Sequence, residues 1–184
     1  DIVVTDLKGD RGLILIGGPS DHFAWDTAAL MRQLQIIINA SPAKQWVIGA
    51  SRRTPMETVR ALQTLLCDRV SLTRHVDSGI AWLAEQLTCS DPVWISSDSV
   101  SMIYEALTAG RAIGVIDVPA KRSSRITRLM QDLDTRRLVT RYARWRAGDS
   151  LTNDTPLMEA TRCAKLILSR FEQSTRCFRS PEIS

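Results

Sequence analysis

Short unbroken apolar runs alternate along this chain with longer stretches in which apolar positions recur every three or four residues. Leu13-Ile14-Leu15-Ile16, Trp46-Val47-Ile48, Val93-Trp94-Ile95 and Ile113-Gly114-Val115-Ile116 are the runs. Their length and lack of polar alternation predict strands buried on both faces. Val70-Ser71-Leu72 is a weaker strand candidate. Residues 27–38, 55–66, 80–87 and 99–109 have helical length and spacing between them. This alternation, with short connections throughout, predicts an α/β domain: a Rossmann-like, doubly wound parallel sheet over residues 13–134. Residues 1–12 read as an entry segment. Residues 135–184 read as a basic segment followed by a C-terminal helix packing on the domain. Leu157, Ala160, Ala164, Ile167, Leu168 and Phe171 mark one face of that helix.

In such sheets ligands bind at the carboxyl ends of the strands, and three predicted strands end in residues suited to an anion. The first runs into Gly17-Gly18-Pro19-Ser20, where glycine lets a ligand approach the backbone. The second runs into Ser51-Arg52-Arg53, followed by Thr54-Pro55-Met56-Glu57. Thr54 as N-cap, Pro55 at the first helical position and Glu57 at the third make a helix-start signature. That places Arg52 and Arg53 on a loop at the same edge, with planar forks suited to phosphate oxygens. The third runs into Ser96-Ser97-Asp98-Ser99-Val100-Ser101 and opens a helix carrying Glu105. A helix start offers unpaired amides and partial positive charge to a phosphate. Glu105 lies one turn beyond Ser101 on the same helix face, within reach of hydroxyls attached to that phosphate. Each station also has a plain structural reading: a tight turn at Gly17-Gly18, solvated charge at Arg52 and Arg53, helix capping by Ser97, Asp98 or Ser99, and an exposed helix face at Glu105. Their coincidence at one edge favours a nucleotide-sugar site.

Other chemistries lack their motifs. Neither the phosphate-loop pattern G-x-x-x-x-G-K-S/T nor the dinucleotide pattern G-x-G-x-x-G is present, so NAD is disfavoured. His22 and His75 lack metal-ligand spacing, and no G-x-S-x-G elbow supports a serine triad. His22 is a candidate for lining the site. No metal and no cofactor are expected. Cys67, Cys89, Cys163 and Cys177 form no C-x-x-C pair and read as reduced thiols, in part buried.

The 184-residue length allows one large domain or two small ones, and the apolar and charged fractions are those of an ordinary soluble globular protein. No run approaches the roughly 18 apolar residues of a membrane span, and no secretory leader is seen. The chain opens on Asp1 rather than Met and reads as processed or excised. The expected location is cytoplasmic, with peripheral membrane contact allowed. The net charge of +4 is concentrated at Arg136, Arg137, Arg141, Arg144 and Arg146. On a helix, Arg137, Arg141 and Arg144 share one face; this reads first as a solvated face or a contact to another domain, and nucleic acid is not expected.

Leu15-Ile16-Gly17-Gly18-Pro19-Ser20, Ser51-Arg52-Arg53-Thr54-Pro55 and Asp98-Ser99-Val100-Ser101-Met102 with Glu105-Ala106, in that order, resemble the C-terminal half of the mitochondrial-fission "elongated mitochondria" family. That family includes bacterial relatives described as candidate glycosyltransferases. The same stretch is similar to the donor-binding domain of GT-B enzymes of the MurG type. Relatives usually carry an acidic residue where Ser97 stands, an Asn-Pro-Tyr-like stretch near Asp77-Ser78-Gly79, and often proline where Ala112 stands. The resemblance implies one GT-B half-domain that binds a nucleotide-diphosphate sugar through Gly17, Gly18, Ser20, Ser51, Arg52, Arg53, Asp98, Ser99, Val100, Ser101 and Glu105. It further implies an acceptor domain or partner chain elsewhere, so no catalytic base is named and no turnover is expected from this half alone. The alternatives are a non-catalytic interaction module of the same family and a nucleotide-sugar epimerase, for which Asp21, His22 and Asp98 are the available acid/base groups.

Overall fold

A computed structural model of the chain describes residues 10–74 and 81–151. Its elements in order are β1 (Arg11–Ile16), α1 (Thr27–Ala40), β2 (Gln45–Ala50), α2 (Met56–Gln63), β3 (Val70–Arg74), α3 (Trp82–Cys89), β4 (Val93–Ser96), α4 (Val100–Thr108), β5 (Ile113–Ile116), α5 (Arg125–Thr135) and β6 (Thr140–Arg141). The six strands form one sheet in the order β3-β2-β1-β4-β5-β6, and every pairing is parallel. This is the Rossmann-like α/β architecture. The strand order reverses at β1, which pairs with β2 on one side and β4 on the other. The crevice above the ends of β1 and β4 is where such sheets bind ligands.

The apolar runs are unbroken because helices cover both faces. Leu30, Leu34 and Ile37 of α1 and Leu62 of α2 pack on Ile14, Ile16 and Ile48. Leu87 of α3, Ile103 and Leu107 of α4, and Met130 and Leu133 of α5 pack on Leu13, Leu15, Ile95 and Val115 on the other face. Two buried tryptophans are seated by glycines on the neighbouring strands. Trp46 stands opposite Gly12 and Trp94 opposite Gly114. A Cβ at either glycine would lie 2.4 Å from the indole, so the ring occupies the space a side chain would take.

Beyond Ile116 the structure adds two elements that the expectation did not specify. α5 carries Ile126, Met130 and Leu133 at helical spacing, and the sheet continues past residue 134 into β6. The arginine-rich segment is therefore not a helix with Arg137, Arg141 and Arg144 on one face. Arg137 turns the chain with φ 57°, and β6 and a turn follow. Specific partners explain the difference. The Asp117 carboxylate accepts from the Arg141 guanidinium and from the Ala143 amide, and Asp134 pairs with Arg144. Trp145 then meets Trp94 edge to face with ring centroids 5.0 Å apart.

Cys67 and Cys89 are exposed free thiols. Cys163, Cys177, His75, residues 77–79 and the expected C-terminal helix lie outside the described residues. Among the described residues, no helix is long and apolar enough to cross a membrane.

Candidate functional site at the sheet switch point

The loops that follow β1, β2 and β4 are tied together by side chains from each. Gly17 donates its amide to Ser96 Oγ at 2.8 Å, and Gly18 donates its amide to Asp98 Oδ2 at 2.9 Å. The carboxylate of Asp98 lies directly over Gly17, where an added Cβ would sit 2.2 Å from Oδ2. Gly18 is packed as tightly: a Cβ there would be 2.0 Å from the Arg53 carbonyl oxygen. These two glycines admit the neighbouring loops to the backbone, and in this structure both amides donate inward.

Arg53 closes the arrangement. One guanidinium nitrogen donates to the carbonyls of Gly18 at 3.1 Å and Pro19 at 3.4 Å. The other meets Asp98 Oδ2 at 2.9 Å and Ser99 Oγ at 3.4 Å. One planar fork thus spans all three loops, which a lysine ammonium could not do. The Asp98 side chain is 0% exposed and that of Arg53 46% exposed. The pair has one end sealed in protein and one end facing solvent. Asp98 Oδ1 is buried with no hydrogen-bond partner among the described residues.

The β2–α2 loop contradicts one local expectation. Thr54 does not cap α2; the N-cap is Pro55, in extended backbone, and the helix begins at Met56. The Thr54 hydroxyl instead donates to the carbonyls of Ile16 and Gly17, and Ser51 Oγ donates to Gly17 as well, at 3.1 Å. Pairing the carbonyls at the end of β1 takes precedence over capping because those carbonyls are buried and need donors. Among Ser97, Asp98 and Ser99, none caps α4 through its side chain. Ser99 holds the N-cap position without a side-chain bond, while Ser97 Oγ is bonded to both the amide and carbonyl of Val118.

The remaining predicted residues divide by position. Ser20 accepts from the amides of His22 and Phe23 and so folds its own loop. Val100 packs its side chain against the core. Arg52, Ser101 and Glu105 are exposed and make no side-chain hydrogen bond or ion pair among the described residues. Ser101 and Glu105 lie on the face of α4 away from buried Ile103, Ala106 and Leu107. His22 is half-buried, and its Nδ1 has no partner among the described residues.

A fourth loop, after β5, belongs to the same edge and was missed. Val118 is held by Ser97, Pro119 accepts from the Ala24 amide at 2.7 Å, and Lys121 donates its amide to His22 at 2.8 Å. Lys121 Nζ reaches the Ser20 carbonyl at 2.8 Å. The signal available in sequence was the polar run Lys121-Arg122-Ser123-Ser124 following the fourth apolar strand. Ser96 and Thr54 were also passed over as the residues that position the glycine loop.

The sequence profile described as mitochondrial fission ELM1 matches residues 3–171. This chain belongs to the mitochondrial fission ELM1 family. The family match takes in every strand and all four loops of the site. A search of curated proteins finds no match. Among solved structures, a PPC decarboxylase mutant complexed with pantothenoylaminoethenethiol is similar over 86% of this chain and 98% of its own, at 15% identity and a TM-score of 0.44. Among the described residues of this family member, no group of three or more His, Cys, Asp or Glu side chains is placed to hold a metal ion.

Proposed function

We propose that this member of the ELM1 family binds a nucleotide-diphosphate sugar and is the donor-binding half of a GT-B-type glycosyltransferase. The acceptor would come on another domain or a partner chain. The observation that carries the reading is the convergence of the loops after β1, β2 and β4 on Arg53, at the point where the strand order reverses.

The chemistry of a departing diphosphate assigns the roles. The first turn of α4 has no side-chain cap, so its amides and the hydroxyl of Ser101 are free to meet phosphate oxygens. Arg52, exposed and unpaired among the described residues, would neutralise charge that develops on the leaving group. Arg53 and Asp98 would fix the loops that carry it. Gly17, Gly18, Ser20 and Ser51 shape the floor. Glu105, one turn along α4, would accept hydroxyls of the ribose.

Isothermal titration of the full chain with UDP, GDP, ADP and their glucose conjugates tests the proposal. Saturable binding of one nucleotide class, weakened at least ten-fold by Glu105→Ala, is the expected result. A folded sample that binds none of them at millimolar concentration would sink it.

A further inference from the structure

Four cations, Lys121, Arg122, Arg125 and Arg128, occur in residues 118–131 with no acidic residue among them. They occupy the β5–α5 loop and the first turns of α5, which has no acid in its first turn. Positive side chains at the positive end of a helix oppose its dipole and one another, so local stability alone would select against them. At the helix start the amides of Ser124 and Thr127 are already taken by a reciprocal capping box. What remains unexplained is the side-chain charge itself. Arg122 and Arg125 are exposed, with no partner among the described residues. The adjoining β1–α1 loop carries two exposed acids, Asp26, which accepts from the Ala29 amide as the cap of α1, and Asp21; neither pairs with these cations.

The placement of this charge is specific. Lys121 donates to the Ser20 carbonyl, while Arg53 donates to the preceding carbonyl, that of Pro19. The backbone of residues 118–121 is bonded across the crevice to Ser97, Ala24 and His22. The β5–α5 loop is therefore a wall of the same crevice, and its Lys121 holds the carbonyl that follows the one Arg53 meets.

We propose that Lys121, Arg122 and Arg125 form a second anion subsite, which takes a phosphate or carboxylate carried by the ligands of this site in addition to the donor diphosphate. The inference rests on the donor-site reading. The extra anionic group has two possible sources, an acidic donor sugar or a phosphorylated acceptor.

Calorimetry on the full chain and on an Arg122→Ser/Arg125→Ser variant separates these sources. UDP-glucuronate is compared with UDP-glucose, and glucose 6-phosphate with glucose in the presence of saturating UDP. In at least one comparison the wild type should favour the anionic member about ten-fold, the size of one charge-assisted contact at an exposed site. The variant should lose that preference and keep its affinity for UDP-glucose. Preference absent in both comparisons, or unchanged in the variant, overturns the subsite. Should none of the UDP, GDP and ADP sugars bind, the donor reading fails, and inorganic phosphate judges the subsite by itself. Phosphate should then raise the melting temperature of the wild type and not of the variant; equal stabilisation overturns it. At low salt without ligand the variant should melt about 1–3 °C higher than the wild type. A lower melting temperature would show that the arginines serve stability, and would overturn the argument.

Discussion

Replacing Asp98 and Arg53 singly and together measures how the three loops are held. Asp98→Ala leaves the Gly18 amide without its acceptor in a buried position, a loss of about 1–3 kcal/mol. It also removes the ion pair, whose arginine end is 46% exposed. Screening at that end limits the additional loss to about 0.5–1 kcal/mol, so the single change should cost about 1.5–4 kcal/mol in total. Arg53→Ala leaves a sealed carboxylate with the Gly18 amide as its remaining partner and frees the Gly18 and Pro19 carbonyls. Stranding a buried charge typically costs about 3–5 kcal/mol, and water entering the vacated guanidinium site should bring this to about 2–3 kcal/mol. The double variant relieves the stranded charge, so its cost should fall short of the sum by about 1–2 kcal/mol. Urea unfolding followed by tryptophan fluorescence gives all four stabilities. Coupling below about 0.3 kcal/mol, with Arg53→Ala as stable as the wild type, would show that the guanidinium is merely solvated and refute the reasoning.

Gly18→Ala should destabilise the protein by about 1–3 kcal/mol, because its Cβ would press on the Arg53 backbone rather than on a movable side-chain tip; urea unfolding reads it. Glu105→Gln and Arg52→Gln, both at exposed positions, should leave the melting temperature within about 1 °C of the wild type while weakening nucleotide affinity several-fold. A drop in stability with no change in affinity would contradict their assignment to the ligand. Asp117→Asn should loosen β6 and the turn after it at a cost of about 1–2 kcal/mol, and the near-ultraviolet circular dichroism of the Trp94–Trp145 pair should weaken with it. An unchanged aromatic spectrum would place the hold on Trp145 elsewhere.

The sheet through β5 was legible because strands covered on both faces must be apolar throughout, as Leu13-Ile14-Leu15-Ile16 and Val93-Trp94-Ile95 are. The three polar stations were legible for the same reason: small polar residues directly after such runs have to sit at a sheet edge. What escaped was long-range pairing. β6 is two residues long and is placed by the union of Asp117 with Arg141, 24 residues apart, which no local periodicity encodes. Thr54 looked like a helix cap because its sequence neighbours form a capping pattern; its partners, the Ile16 and Gly17 carbonyls, come from another strand. Asp98 and Glu105 look alike in sequence, two acids of one strand–helix unit, and the structure separates them: the first is sealed within the protein and the second is exposed.

The cross-strand seating of Trp46 on Gly12 and of Trp94 on Gly114 also constrains how this sequence can drift. Any side chain gained at Gly114 competes for the volume Trp94 fills, and any smaller residue at Trp94 leaves a void beside Gly114. Neither position can change favourably before the other, although a joint exchange of the large and small residue conserves the volume. Each pair is therefore a two-step barrier to substitution, and related sequences should show the two sites altering together or not at all.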